Sequence, residues 1–137
     1  MKLLGIDYGE RRIGLAISDD LGMMAHELDV IADWNNEDLL EHLRQLIILE
    51  GIEKIVLGLP LNMSGEETEK TQEVRDFAAM LENVLDVEIV FEDERWTTKM
   101  VDKVLREMNV SQKEARVMKD MVAAKYILQG YMDKGLE

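Results

Sequence analysis

Three acidic positions stand where a folded chain could bring carboxylates together. Asp7 ends a short apolar run and is followed at once by Tyr8 and Gly9. The acids Glu92-Asp93-Glu94 follow another apolar segment, and Asp120 precedes two small alanines by three and four residues. Burying a carboxylate without a partner is costly. A divalent metal ion, or a phosphate carried by one, is the partner that this setting favours.

A cluster of this kind suits the hydrolysis of phosphodiester bonds. Two divalent ions about 4 Å apart would lie between the carboxylates, one activating water and the other stabilising the leaving oxygen. Mg²⁺ and Mn²⁺ prefer oxygen ligands and need few carboxylates from the protein, because substrate phosphate supplies the rest. Each acid alone has an ordinary interpretation as a turn former, an exposed charge or half of a surface ion pair. The triplet is more specific, and we predict Mg²⁺ or Mn²⁺ as the cofactor.

Hydrophobic periodicity predicts the elements that would position these acids. Strands are expected over residues 2–7, 12–19, 23–31, 54–59 and 87–92. Helices are expected from a cap at Asn35-Asn36 to Gly51, over 67–85, after a cap at Thr97 or Thr98, and after a capping box of Ser111 with Glu114.

The predicted order is three strands, helix, strand, helix, strand and two helices. Strands that alternate with helices imply a parallel sheet covered on both faces, while the early meander adds antiparallel strands. The predicted fold class is therefore α/β and RNase H-like. It has a five-stranded mixed sheet, three antiparallel strands and then two parallel ones, with helices on both faces.

Composition narrows the class of protein. The chain has 137 residues, 47% of them hydrophobic and 33% charged, which suits one domain over 1–137 with a single good core. It contains no cysteine, so neither a disulfide framework nor a thiolate metal site is available. We find no signal peptide and no apolar stretch near the roughly 20 residues that span a bilayer. We expect a cytoplasmic protein without membrane association.

The charge is unevenly distributed along the chain. A net charge of −13 argues against unspecific binding to nucleic acid. Residues 1–94 hold 7 Lys and Arg against 23 Asp and Glu, whereas residues 95–137 hold 9 against 6. The basic C-terminal part is either a solvated helix surface or a contact for nucleic acid. For Trp34 and Trp96 we expect partial burial, with base stacking as the alternative.

Four blocks of the sequence resemble the YqgF/RuvX family of pre-16S rRNA nucleases and Holliday-junction-resolvase-like proteins. In chain order they are Gly5-Ile6-Asp7-Tyr8-Gly9 with Arg12-Ile13-Gly14, Leu57-Gly58-Leu59-Pro60-Leu61-Asn62-Met63 with Gly65, Asp93-Glu94-Arg95 with Thr97-Thr98, and Lys119-Asp120 with Ala123-Ala124. The resemblance covers essentially the whole chain. Trp96 and Met121 are minor departures from the family pattern.

The resemblance implies an RNase H-like fold, a metal-dependent nuclease activity and a cytoplasmic role in ribosomal RNA maturation. It also implies that Asp7, Asp120 and one acid of the Asp93-Glu94 pair are catalytic and bind the metal. Adjacent strand residues face opposite sides of a sheet, so only one acid of the pair is expected to reach the metal. We choose Glu94, although the sequence leaves the strand register open.

The candidate substrate-binding residues are Arg12, Asn62, Arg95, Thr97, Thr98 and Lys119. Backbone amides of the loop Asn62-Met63-Ser64-Gly65 could hold a phosphate, because the loop precedes a helix. A plain polar connection is the alternative for this loop. Arg95 could equally hold Glu94 or another acid in place.

The first hypothesis is a metal-dependent nuclease acting in 5′-end processing of pre-16S rRNA, with pre-rRNA as its partner. The alternative with the same chemistry is a Holliday junction resolvase acting on branched DNA. Symmetric junction cleavage would require a dimer, but no apolar patch in the sequence demands one, and we expect a monomer or a weak homodimer. A non-catalytic RNA- or protein-binding factor is the third hypothesis. An actin-like ATPase is a weaker fourth, because one such domain lacks a second lobe.

Overall fold

One five-stranded sheet forms the centre of the molecule in the computed structural model, which describes residues 1–135. The last two residues of the predicted domain, 136 and 137, lie outside the described residues. The strands are β1 (Lys2–Tyr8), β2 (Arg12–Ser18), β3 (Ala25–Ala32), β4 (Ile52–Leu59) and β5 (Glu88–Asp93). Their spatial order is β3-β2-β1-β4-β5, antiparallel from β3 to β1 and parallel from β1 to β5. The predicted mixed sheet is confirmed.

In the described part of the chain, four helices cover the two faces of this sheet. They are α1 (Asn36–Glu50), α2 (Glu69–Val84), α3 (Thr97–Glu107) and α4 (Gln112–Asp133). Helices α1 and α2 share one hydrophobic core with the sheet, α4 forms a second core on the opposite face, and α3 packs on α4. Within residues 1–135, no helix is both long and apolar enough to cross a membrane.

Local signals set most of the helix ends. The Asn35 side chain accepts a hydrogen bond from the amide of Asp38, and Gly51 ends α1 with a φ of 67°. The Ser111 side chain accepts from the amide of Glu114 and opens α4. These caps were predicted, because a cap is a contact between residues three or four positions apart.

Several predicted boundaries differ from the structure by one or two residues, and for two of them the local reason is visible. The N-cap of α3 is Trp96 rather than Thr97 or Thr98, because the amide of Thr97 already turns back to the carbonyl of Glu94 at 3.0 Å. The third strand begins at Ala25 rather than residue 23. The Asp19 carboxylate accepts from the amides of Met23 and Met24 and holds them in a turn.

The pleat of β1 divides its residues between the two cores. Leu4 and Ile6 are fully buried in the core under α1 and α2, whereas Leu3 belongs to the core under α4. Since strand side chains alternate, Asp7 falls on the α4 face together with Leu3 and Gly5. The helix that carries Asp120 thus covers the face on which Asp7 stands.

Glycines let the backbone of α4 lie directly on the sheet. A Cβ atom on Gly5 would come within 2.7 Å of the Leu128 Cβ, and one on Gly58 within 2.5 Å of the Ile127 Cδ1. A side chain on Gly14 would overlap the backbone carbonyl of Asp120. This close approach places the backbone of α4 against β1, β2 and β4.

Candidate functional site

A cleft of about 700 Å³ opens where β1, β4 and β5 end. Its wall includes all three acids singled out by the sequence: Asp7 near the end of β1, Glu94 directly after β5, and Asp120 in α4. The carboxyl ends of parallel strands meet at one edge of a sheet, which is where ligands bind in open α/β folds. The fold therefore brings the three carboxylates together.

Backbone register explains why they converge. Asp7 is paired with Gly14 across β1 and β2, and Gly14 is the residue whose missing side chain admits the backbone of Asp120. On the other side of the cleft, the amide of Glu94 donates to the carbonyl of Leu59 at 3.3 Å. A Cβ on Gly58 would lie 3.2 Å from the Glu94 carboxyl carbon, so Glu94 lies over the α4 face of β4.

Asp93, unlike Glu94, does not line the cleft. Its carboxylate accepts from the Nε of Arg95 at 2.8 Å and from the Arg95 amide at 2.9 Å. Burial alone would raise the pKa of Asp93, but these hydrogen bonds outweigh it and the pKa is lowered. The structure thus brings Glu94, and not Asp93, to Asp7, while the role of Glu94 as a metal ligand stays a prediction.

The electrostatics of the cleft disfavour three ionised carboxylates. Burial raises the pKa of Asp7 well above its usual value, and repulsion from Glu94 and Asp120 adds to this effect, which Lys119 opposes. Burial also raises the pKa of Glu94 to about 7, with Asp93 adding to the shift. The cluster therefore favours the binding of a cation, or of a proton to one of its carboxylates.

Among the residues described, one oxygen of Asp120 has an ion-pair partner but no hydrogen bond. The Oδ2 atom is buried, and the Nε of Arg12 lies 2.9 Å away without the geometry of a hydrogen bond. The Arg12 guanidinium offsets part of the charge of this carboxylate. A cation that binds Asp120 in the cleft would therefore compete with Arg12 for this oxygen.

The residues present fit a divalent cation in type and in charge. Three carboxylates line one cleft, and the pKa values of two of them, Asp7 and Glu94, are raised mainly by burial, so that they resist ionisation unless a cation is near. Oxygen donors of this kind suit Mg²⁺ or Mn²⁺. Over the described range 1–135, no three acidic or histidine side chains are already spaced as a metal site, and Arg12 stands beside Asp120.

The structure places some of the predicted substrate-binding residues in the wall of the cleft and others outside it. Arg12, Arg95 and Thr98 line the cleft. Lys119 is exposed and close enough to lower the pKa of Asp7. Thr97, whose amide bonds to Glu94, does not contribute to the wall of the cleft.

Asn62 organises its own loop. Its side-chain oxygen accepts from the amides of Ser64 at 3.0 Å and Glu66 at 2.9 Å, and its backbone carbonyl accepts from the amide of Gly65. The three amides therefore have partners within the loop, which supports the polar-connection interpretation over a phosphate cradle. The fully buried Thr71 completes the loop by donating its hydroxyl to the carbonyl of Pro60.

Arg95 connects the end of β5 to the same loop. Besides its two contacts with Asp93, its guanidinium donates to the carbonyl of Met63 at 3.2 Å. The acid that Arg95 holds is thus Asp93 and not Glu94. Arg95 is placed to keep the loop after β4 against the wall of the cleft.

Two basic residues of the cleft were not among the predicted substrate-binding residues. Arg11 and Lys70 both line it, and Lys70 lies near enough to Glu94 to lower the pKa of that carboxyl group. Lys70 stands in an acidic stretch at the start of α2, outside every motif block. Nothing in the local pattern identifies it, because only the packing of α2 brings it to the cleft.

Comparisons with known proteins agree with this fold. The family model of RuvX, described as Holliday junction resolvase, matches residues 1–134. A protein of Dictyoglomus thermophilum named "Putative pre-16S rRNA nuclease" is 41% identical over 97% of this chain and 96% of its own length. A protein of the same name from Halothermothrix orenii is 42% identical over 97% and 95%.

Solved structures with the same fold include two resolvases. RuvC of Thermus thermophilus, in complex with Holliday junction substrate, matches with a TM-score of 0.62 at 15% identity, over 98% of this chain and 96% of that chain. The Fowlpox virus resolvase, with substrate Holliday junction DNA, matches with a TM-score of 0.58 at 10% identity over the whole of both chains. At these identities the likeness concerns the fold alone.

Proposed function

Because the chain belongs to the RuvX family, we propose that it is a nuclease that hydrolyses phosphodiester bonds in 5′-end processing of pre-16S rRNA. The observation that carries this proposal is the convergence of Asp7, Glu94 and Asp120 in one cleft at the ends of the strands. The names of relatives at about 40% identity support rRNA as the substrate. The proposed compartment is the cytoplasm, where ribosomal RNA matures.

The proposed cofactor is Mg²⁺ or Mn²⁺, held by Asp7, Glu94 and Asp120. Bound there, the ion supplies Lewis-acid activation of water and neutralises charge at the phosphate. In the overall reaction the oxygen of water bonds to phosphorus, the bond to the leaving oxygen breaks, and that oxygen takes up a proton. No side chain acts as a covalent nucleophile in this scheme.

Basic residues of the cleft are proposed to orient the substrate. Arg11, Arg12 and Lys70 line the cleft around the carboxylates and would contact non-bridging phosphate oxygens. Arginine suits this role because its planar guanidinium donates two parallel hydrogen bonds to phosphate. Arg12 also compensates part of the charge of Asp120 in the absence of substrate.

A Holliday junction resolvase is the second candidate function. The description of the matching family favours it, and its chemistry would use the same three carboxylates. The two candidates differ in the substrate and not in the site, so substrate cleavage separates them.

The test is cleavage of a 5′-extended pre-16S RNA fragment and of a four-way DNA junction in Mn²⁺ or Mg²⁺. We expect RNA cleavage by the wild type and a loss of at least about a hundredfold in Asp7→Asn, the scale on which one electrostatic group acts in catalysis. Asp20→Asn is the matched control, because Asp20 is an exposed acid whose partner is Lys2.

The outcomes separate the candidates. Cleavage of the junction alone would assign the resolvase activity. If neither substrate is cut, or if Asp7→Asn cuts as fast as the wild type, the nuclease proposal fails and a binding factor becomes the better explanation.

A further inference from the structure

Ion pairing divides the basic side chains into two groups. Within residues 1–135, eight Lys and Arg side chains lie within 4.0 Å of a carboxylate of the same range, and the other eight do not. Of the unpaired cations, Arg11 and Lys70 line the cleft. The other six all belong to α3 and the first half of α4: Lys99, Lys103, Arg106, Lys113, Arg116 and Lys119.

These six cations form two rows that lead away from the cleft. All six are exposed. In α3, Lys99, Lys103 and Arg106 are spaced by four and three residues, which places them on one face over about 10 Å. This row begins beside Thr98, which lines the cleft.

The row of α4 ends at the cleft itself. Lys113, Arg116 and Asp120 are spaced by three and four residues, so the two cations lie on the helix face that carries the cleft carboxylate. Lys119 is close enough to Asp7 to act on its carboxyl group. The unpaired cations therefore extend outward from the acids along both helices, and the exposed Asp102 is the acid whose spacing places it on the face of the α3 row.

Charge complementarity identifies the chemistry of the partner. Residues 95–119 hold seven Lys and Arg against three Asp and Glu, in a chain whose net charge is −13. Within the described residues, five of the seven cations of residues 1–94 are paired with a carboxylate, whereas in the segment 95–119 only Arg95 is paired and the other six are not. A row of unpaired cations that continues from a cleft proposed to cleave phosphodiesters fits the phosphodiester backbone of a nucleic acid.

Trp96 adds a stacking surface at the start of the α3 row. Its side chain is 55% exposed, and it lies between Arg95 and Thr98, both of which line the cleft. At the N-cap of α3 it makes no capping hydrogen bond, and the Lys99 Nζ is 5.4 Å from its ring centroid. The expected partial burial is found instead for Trp34, which packs with Tyr8 and Phe77.

We propose that Trp96 and the two cation rows bind the single-stranded nucleic acid that adjoins the scissile phosphate, with Trp96 stacking on an unpaired base. A single strand is favoured over a duplex because duplex bases are already stacked on one another. The inference rests on the proposed nuclease function and adds to it the strandedness of the substrate.

The first test measures binding without divalent metal, so that no cleavage occurs. The probes are a labelled oligouridylate of about 12 nucleotides, within the site size of such surfaces, an oligothymidylate of equal length, and a blunt duplex. We expect Trp96→Ala to weaken binding of the single strands about tenfold, the scale for loss of one stacked base. Trp96→Phe retains a ring and should lose much less.

The matched control for that variant lies on the same helix. Met100→Ala removes an apolar side chain of similar exposure, 46%, which offers no ring, and its binding should equal that of the wild type. A spectroscopic readout separates stacking from general disturbance. Oligouridylate should quench tryptophan fluorescence in the wild type, and Trp96→Phe should abolish most of that quenching.

The contribution of the cation rows to binding can be measured from the dependence of the binding constant on salt concentration. Lys103→Gln and Arg116→Gln should each reduce the slope of log K against log salt by about 0.7. Arg44→Gln is the control, because Arg44 is paired with Glu41 on α1, and it should leave the slope unchanged.

The proposal is overturned if Trp96→Ala binds oligouridylate as tightly as the wild type, or if the variant weakens duplex binding equally. Tighter binding of the RNA probe than of the DNA probe would assign the surface to an RNA strand, and the reverse to the single-stranded part of a branched DNA. Asp7→Asn should bind as well as the wild type. Intact binding in a protein that cleaves nothing would therefore count against the nuclease proposal alone.

Discussion

Glu94 is held where burial works against its negative charge. Its carboxyl group lies over Gly58, close to Asp7, and its pKa is raised to about 7, mainly by burial. A carboxyl group whose pKa is higher in the folded than in the unfolded chain binds more protons when folded. The free energy of unfolding then falls as the pH rises between the two pKa values.

The fall in the free energy of unfolding with rising pH leads to a prediction for the metal-free protein. The penalty for ionised Glu94 is absent near pH 4.5 and complete above pH 7. Glu94→Gln should therefore be more stable than the wild type at pH 8, by about 1–3 kcal/mol at about 1.4 kcal/mol per pKa unit, and close to it at pH 4.5. Urea unfolding in the presence of a chelator measures the difference.

Glu53→Gln provides the control for this measurement, because Glu53 is an exposed carboxylate on β4. Glu53→Gln should show no pH-dependent gain in the free energy of unfolding over the wild type. A constant difference between Glu94→Gln and the wild type from pH 4.5 to pH 8 would contradict the raised pKa.

At the scale of elements, the loop between β4 and α2 is built by side chains that bond to its own backbone. Asn62 satisfies the amides of Ser64 and Glu66, and Arg95 holds the carbonyl of Met63. Buried Thr71 ties the other end of the loop to Pro60. The loop beside the cleft is thus ordered before any substrate arrives.

Replacement of Asn62 separates a structural from a substrate-binding role. Asn62→Ala removes the acceptor of two amides and should destabilise the loop by about 1–2 kcal/mol, seen as faster amide hydrogen exchange of Ser64 and Glu66. Asn62→Asp keeps the acceptor and should preserve their protection. If instead Asn62→Asp weakens RNA binding while Asn62→Ala leaves exchange unchanged, Asn62 acts on the substrate directly.

Helix α4 is the element that unites the two halves of the site. It packs on glycines of β1, β2 and β4, and this contact brings Asp120 to Asp7. The same helix carries Lys113 and Arg116 outward from the cleft. The position of α4 on the sheet therefore determines which carboxylates meet in the cleft and where the adjoining cations lie.

On the scale of the whole molecule, a bound divalent ion should couple to folding. An ion that binds the folded cleft but not the unfolded chain stabilises the protein by about 2.7 kcal/mol at a concentration 100 times its dissociation constant. We expect Mn²⁺ to raise the thermal midpoint of the wild type. Asp7→Asn and Asp120→Asn should respond much less.

The pH dependence of this effect has a definite sign. Protons compete with the metal for the carboxylates, so the Mn²⁺-induced shift should be larger at pH 8 than at pH 6. Asp20→Asn should behave like the wild type. An equal Mn²⁺ shift in Asp7→Asn and the wild type would place the ion elsewhere and remove the basis of the proposed metal site.

Local signals in the chain were enough to predict the order of the elements and several of their ends. Caps at Asn35, Gly51 and Ser111 and the order of strands and helices follow from contacts within a few residues. The cap of α3 was the exception, since its first amide bonds back to Glu94.

Which residues share the cleft depends on tertiary packing. The register of β5 placed Glu94 rather than Asp93 beside Asp7, and the packing of α2 brought Lys70 to the same wall. Neither the exposure of Trp96 nor the partners of the basic side chains can be read from local pattern. These features depend on the approach of segments far apart in the chain, and that approach is set by how the helices pack on the sheet.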